Sequence, residues 1–229
     1  MRSITRDQSP ARTATTSSRW LIWGGVAAGP IYVVVGVIES FTRKGYDPLK
    51  YDLSILANGD WGWIHSSLLI GTGLLTIVGA FGIRGALVGG RAGTWGPILI
   101  GIYGLGLTAA GFMTADPARG FPPGTPADYN SVSWHGAGHL ISGAIGFVGL
   151  IAGCFVFGRR FAALKETRWA VYSIVTGVYY LAAFVGIVVG SGSGAPAAAI
   201  LAFDLAVVLG WTWITLISAR LLATASPNP

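Results

Sequence analysis

The chain has 229 residues, of which 52% are hydrophobic and only 10% charged, with a mean hydropathy of +0.62. A soluble domain carries roughly 25% charged residues, so this composition excludes an ordinary water-soluble globule and points to a membrane protein. Lys and Arg (15) exceed Asp and Glu (9), but they are spread over the polar connections. That reads as membrane topology and excludes a nucleic-acid surface.

Residues 1–19 are polar, rich in Ser, Thr and Arg, and read as a disordered tail. The apolar run that follows is too long for a signal-peptide core, and no cleavage-like site follows it, so it reads as a span. Six runs reach the roughly 20 residues that a bilayer requires: about 20–41, 62–83, 95–114, 133–157, 169–190 and 197–222. The fold class expected is therefore an all-α, polytopic six-helix bundle, with a short tail at 223–229. Two connections are long and polar, "TRKGYDPLKYDLSILANGDW" and "ADPARGFPPGTPADYNSV". The other three, "RGALVGGRAG", "GRRFAALKETR" and "GSGSGAP", are shorter. The 35 glycines suit helices packed closely in lipid, where small residues allow backbones to approach. The single cysteine, Cys154, lies in an apolar run and cannot form an intrachain disulfide.

Eleven Lys and Arg fall on the side of the termini and four on the side of the long loops. By the positive-inside rule both termini are cytoplasmic and the long loops face out. Trp20, Trp95 and Trp169 open the odd spans at one interface, and Trp61, Trp63 and Trp134 open the second and fourth at the other, as in an aromatic belt. Trp211 and Trp213 lie deeper.

Ionisable groups within spans are costly, so each is a candidate for function. Glu39 closes the first span and pairs in register with Arg43 at i+4. His65 lies just inside the second, and His135 and His139 open the fourth. Asp204 lies about 12 Å into the sixth, at 1.5 Å per residue. All five fall in the half nearest the long loops. His135 and His139, four apart, share a helix face with Ser142, Gly143, Gly146 and Gly153, a small-residue stripe that predicts packing on another helix. The pair could bind zinc with His65 as third ligand and a carboxylate from Asp52, Asp116 or Asp204. It lacks the Glu of the His-Glu-x-x-His helix. The structural alternative is that these histidines hydrogen-bond loop carbonyls or headgroups. A weak internal echo aligns the runs beginning at His65 and His139, which places the two at equal depth on equivalent helices.

The first long loop reads as a short amphipathic element at 52–57, a turn at Asn58-Gly59, and Asp60 as N-cap of the second span. The second, interrupted by Pro117, Pro122, Pro123 and Pro126, reads as an ordered lid. Neither a nucleotide fingerprint nor a Gly-x-Ser-x-Gly elbow is present.

Asp52-Leu-Ser54-x-Leu56, Gly62-Trp63 opening the second span, Asp116-Pro117 with its Gly-Pro-rich loop, and a His opening the fourth span together resemble the prokaryotic integral membrane family of domain of unknown function 998. The resemblance covers about 20–222. It implies six helices in a bacterial or archaeal cell membrane and no specific activity; richness in Ala, Gly and Arg suits a bacterium. A thinner similarity is to membrane ceramidase-like hydrolases, which hold zinc with three histidines beside an Asp and a Ser. This chain departs in span number, in placing Asp52 and Ser54 in a loop, and in its His pair on the fourth span, which leaves a chemical analogy.

The leading expectation is a non-enzymatic protein of the lipid bilayer that binds or moves a small molecule, ion or lipid at an outward-facing polar site formed by Glu39, Asp52, Ser54, Asp116 and Asp204. The alternatives are a zinc-dependent membrane hydrolase using His65, His135 and His139 with a metal-bound water, and a membrane cytochrome. Nothing in the residues specifies an oligomeric state.

Overall fold

The computed structural model describes residues 16–87, 89–191 and 195–224. Among them are six α-helices: α1 (Thr16–Thr42), α2 (Gly62–Ala86), α3 (Gly90–Phe112), α4 (Trp134–Ala163), α5 (Thr167–Ser191) and α6 (Ala197–Thr224). A 3-10 helix, Leu53–Ala57, lies between α1 and α2, and no strand is present among these residues. All six helices are long and apolar enough to cross a membrane.

The helices differ from hydropathy bounds at their ends, because a helix continues past the apolar run wherever its backbone bonds are still satisfied. α1 is already helical at Thr16; the rest of the expected N-terminal tail, residues 1–15, lies outside the described residues, as do 192–194 of the expected α5–α6 turn and 225–229. α4 runs to Ala163 and carries Arg159 and Arg160 within the helix, Arg160 on its last turn. The expected fourth connection thus shrinks to residues 164–166, where Lys165 takes φ +61°.

Each helix packs on its sequence neighbours, and α6 returns to pack on α1, closing a ring. Glycines make the close approaches. A Cβ on Gly79 would sit 2.5 Å from the Gly25 nitrogen in α1, and one on Gly106 would sit 2.5 Å from the Ser142 carbonyl in α4. The predicted stripe on α4 does pack on another helix, α3: Gly146 lies against Tyr103 and Gly106, and Gly149 against Leu99. Large apolar side chains are left exposed around the ring, among them Val34, Phe81, Leu105, Val148, Val185 and Leu205, where lipid tails cover them. Trp20, Trp61, Trp63, Trp95 and Trp134 are also exposed, as interfacial anchors should be.

Trp211 fills the middle of the ring. It is fully buried, stacks on Tyr32 of α1 with centroids 4.9 Å apart, and tilts against Tyr103 of α3 at 5.3 Å. Trp213, also buried, donates Nε1–H to Ser173 Oγ at 3.0 Å.

The two long connections, residues 43–61 and 113–133, lie at one end of the bundle, called here the loop end. They form a second small core of Tyr51, Ile55, Leu56 and Phe121. Tyr51 donates its hydroxyl to the Arg119 carbonyl at 2.8 Å, and Phe121 packs on Tyr46 and Tyr51. The turn at Asn58-Gly59 is present, with Gly59 at φ +77°. The α2 cap differs from expectation: the N-cap is Trp61, with no side-chain bond, and the Gly62 N–H is satisfied by the Gly59 carbonyl at 2.9 Å. A backbone turn thus replaces the expected Asp60 cap.

Candidate functional site

Three polar clusters occupy the loop end. The first joins α1 to α2. Glu39, one turn before the end of α1, is only 3% exposed, and His65, in the first turn of α2, is fully buried. His65 donates Nδ1–H to Glu39 Oε2 at 2.8 Å. Glu39 Oε1 accepts from Arg43 Nη1 at 3.2 Å, the i+4 pair read from sequence. Arg43 Nη2 in turn donates to the Asn58 carbonyl at 2.5 Å, tying the first loop to α1. Glu39 is thus a buried hub, because two donors remain with it inside the protein.

The second cluster joins α3 to α4. A helix leaves its last carbonyls without intrahelical donors, and α4 supplies donors for those of α3. His139 points Nδ1 at the carbonyls of Ala110 and Met113, each 2.9 Å away. His135 points Nδ1 at the Thr114 carbonyl at 2.8 Å. In the other direction, Asp116 Oδ2 accepts the Ser133 N–H at 2.8 Å. Ser133 caps α4 by accepting the Gly136 N–H at 3.0 Å. Gly136 is required there, since a Cβ would strike the Asp116 carboxylate. This is the carbonyl-bonding alternative for the histidines, and it leaves Asp116 and His135 as parts of a helix junction.

His65, His135 and His139 therefore serve separate partners. Among the described residues, no three His, Cys, Asp or Glu side chains come together as a group that could hold a metal ion. The echo between His65 and His139 does have a counterpart: each sits near the start of an even helix and bonds through Nδ1 to the end of the preceding odd one.

The third cluster lines a cavity of about 470 Å³. Asp204 of α6 meets the 3-10 segment here. The backbone N–H of Leu53 faces the Asp204 carboxylate, while Asp204 Oδ1 is buried with no partner among the described residues. Asp52 is the N-cap of the 3-10 helix, its Oδ1 accepting from the Ser54 N–H at 3.0 Å and the Ser54 hydroxyl at 2.5 Å. Asp52, Ser54, Asp204 and His139 all line this one cavity, together with Tyr32 and Tyr103. Its remaining walls are apolar: Leu69 and Leu107 on one side, Phe147, Phe184 and Phe203 on the other. Of the residues expected to form a polar site, the structure brings Asp52, Ser54 and Asp204 together with His139. Glu39 and Asp116 lie in the other two clusters.

Tyr32 and Tyr103 were missed from sequence because each looks like one more aromatic in an apolar run. The available signal was the hydroxyl: a mid-span Tyr needs a partner that lipid cannot give. Tyr103 is fully buried and its hydroxyl has no partner among the described residues. The same holds for the Tyr180 hydroxyl and Trp211 Nε1 in the core beside the cavity.

Six apolar helices closed into a ring, with polar groups gathered at one end, define a multi-pass integral membrane protein. The chain belongs to the family described as "Protein of unknown function (DUF998)", which matches residues 26–220 and so reaches into all six helices. No curated protein and no solved structure matches it.

Proposed function

We propose that this protein binds a small amphipathic molecule in the loop-end cavity, and that this end faces the cell exterior. The observation that carries the reading is a cavity of about 470 Å³ whose apolar walls enclose Asp52, Ser54, His139 and Asp204. Burying polar groups is costly unless they are hydrogen-bonded, and a ligand with a polar head offers partners to those that face the cavity. The volume falls within the range of small-molecule sites, roughly 300–1,000 Å³. The pairing of a few polar groups with aromatic and aliphatic walls is the usual make-up of such sites.

The orientation rests on the eleven Lys and Arg at the termini's end against four at the loop end. It puts both termini in the cytoplasm and the cavity in the outer half of a bacterial plasma membrane. The zinc-hydrolase and cytochrome readings gain no specific observation, because each histidine spends Nδ1 on a different protein partner.

The test is photolabelling in phosphatidylcholine proteoliposomes with decanol bearing a chain diazirine, mapped by mass spectrometry. Labels concentrate at Leu107, Phe147, Phe184 and Phe203, which line the cavity and are not on the outer surface, and Gly143→Leu removes them. That variant is a fair block, since a Cβ on Gly143 meets nothing closer than Phe147 Cε2 at 3.7 Å. Labelling confined to the outer faces of the ring contradicts the reading.

A further inference from the structure

We infer that the cavity selects a cation-headed amphiphile, a long-chain primary amine, and takes it sideways from the bilayer between α4 and α5. This rests on the cavity being a binding site. Two independent features carry it, the hydrogen-bond character of the polar end and the position of the apolar end.

The polar end carries two carboxylates and no cation, and its uncommitted donors are neutral tyrosine hydroxyls, such as that of Tyr103. Asp52 and Asp204 bring two carboxylates. The Ser54 hydroxyl is already donated to Asp52. His139 has committed its Nδ1–H to the α3 carbonyls, so its Nε2 offers a lone pair. The lining residues include no Lys or Arg. Arg43, on the neighbouring cluster, is engaged by Glu39 and Asn58. An ammonium has three donors and no acceptor, and it provides the charge that buried carboxylates otherwise lack. Tyr32 and Tyr103 add aromatic faces, which also favour a cation. A carboxylate or phosphate head finds no Lys or Arg there to pair with.

The apolar end reaches the lipid. Leu140, Ile141 and Val188 line the cavity, yet they are 64%, 61% and 56% exposed on the outside of α4 and α5. The same side chains therefore face both the cavity and the acyl chains, which makes a side opening. From the loop side the cavity is walled by Asp52, Leu53 and Ser54. An amphiphile entering laterally keeps its tail among Leu140, Ile141, Phe184 and Val188 while its head reaches Asp204.

The experiment compares three diazirine probes of one chain length, decylamine, decanol and decanoate, in phosphatidylcholine proteoliposomes. Cavity labelling at Leu107, Phe147, Phe184 and Phe203 is normalised to labelling on the lipid-facing side of α2, which cancels differences in partitioning. Normalised decylamine labelling exceeds that of decanoate by about tenfold or more, as a charge-assisted hydrogen bond requires. Asp204→Asn, nearly isosteric, removes most of the amine's excess over decanol. Unchanged protection of the buried Cys154 from a thiol-reactive dye in detergent certifies that the variant is folded. Equal labelling by all three heads, or preference for decanoate, overturns the amine assignment and leaves the binding site standing. Absence of cavity labelling by every probe overturns both.

Discussion

Glu39→Ala tests the buried hub at the loop end. The substitution deletes the acceptor of two bonds, to Arg43 Nη1 at 3.2 Å and to His65 Nδ1 at 2.8 Å. The side chains of Arg43 and Glu39 are 9% and 5% exposed, so water cannot readily replace the lost partner. Breaking a buried pair from one side costs roughly 3–5 kcal/mol, because the remaining charge stays buried without compensation. At about 2–4 °C per kcal/mol for a chain of this size, the midpoint of thermal unfolding falls by about 6–20 °C. Cys154 offers the assay. It is the chain's one cysteine and fully buried, so a fluorogenic thiol-reactive dye reports unfolding in detergent. The cause is checked by removing the orphaned cation as well: Glu39→Ala with Arg43→Met recovers at least half of the loss. A fall of less than about 3 °C, or no recovery in the double variant, refutes the reasoning.

Gly106→Ala destabilises by at least about 2 kcal/mol, because its Cβ would meet the Ser142 carbonyl at 2.5 Å. Gly186→Ala, where nothing lies within 4 Å, is neutral or stabilises by up to about 1 kcal/mol; the same dye assay compares the two. Tyr180→Phe costs less than about 1 kcal/mol, since the hydroxyl it removes has no protein partner among the described residues. A metal chelator leaves the unfolding midpoint unchanged, as the separate partners of the histidines require; a drop of several degrees would revive the three-histidine centre. Cysteines placed at Thr125 and Arg91 are labelled by an impermeant maleimide from outside the cell and only after permeabilisation, respectively; the reverse pattern inverts the topology.

The six spans were legible because hydropathy reports what lipid demands of a helix. The cost of an ionisable group in lipid likewise singled out Glu39, His65, His135, His139 and Asp204; all but His135 are buried or line the cavity. Their partners were not legible. His135 and His139 bond backbone carbonyls at the end of α3, and every residue carries such a carbonyl, so nothing in the sequence marks those that accept. Glu39 and His65 sit 26 positions apart and meet because α1 and α2 pack as an antiparallel pair. The meeting of Asp204 with Leu53 depends on ring closure, which brings α6 back to α1 and the first loop. No local pattern encodes that. Conversely, Trp211 and Trp213 stood out as misplaced belt residues, and their depth was the sequence's sign of a buried aromatic centre.

The most direct measurement is a crystal structure grown in a lipid mesophase containing ω-bromodecylamine, with bromine located by anomalous scattering. The account predicts the ammonium within hydrogen-bond distance of the Asp204 carboxylate and a bromine peak near Ile141 and Val188, between α4 and α5. Bromine found only on the lipid-facing sides of other helices, with the cavity holding ordered water alone, would contradict it.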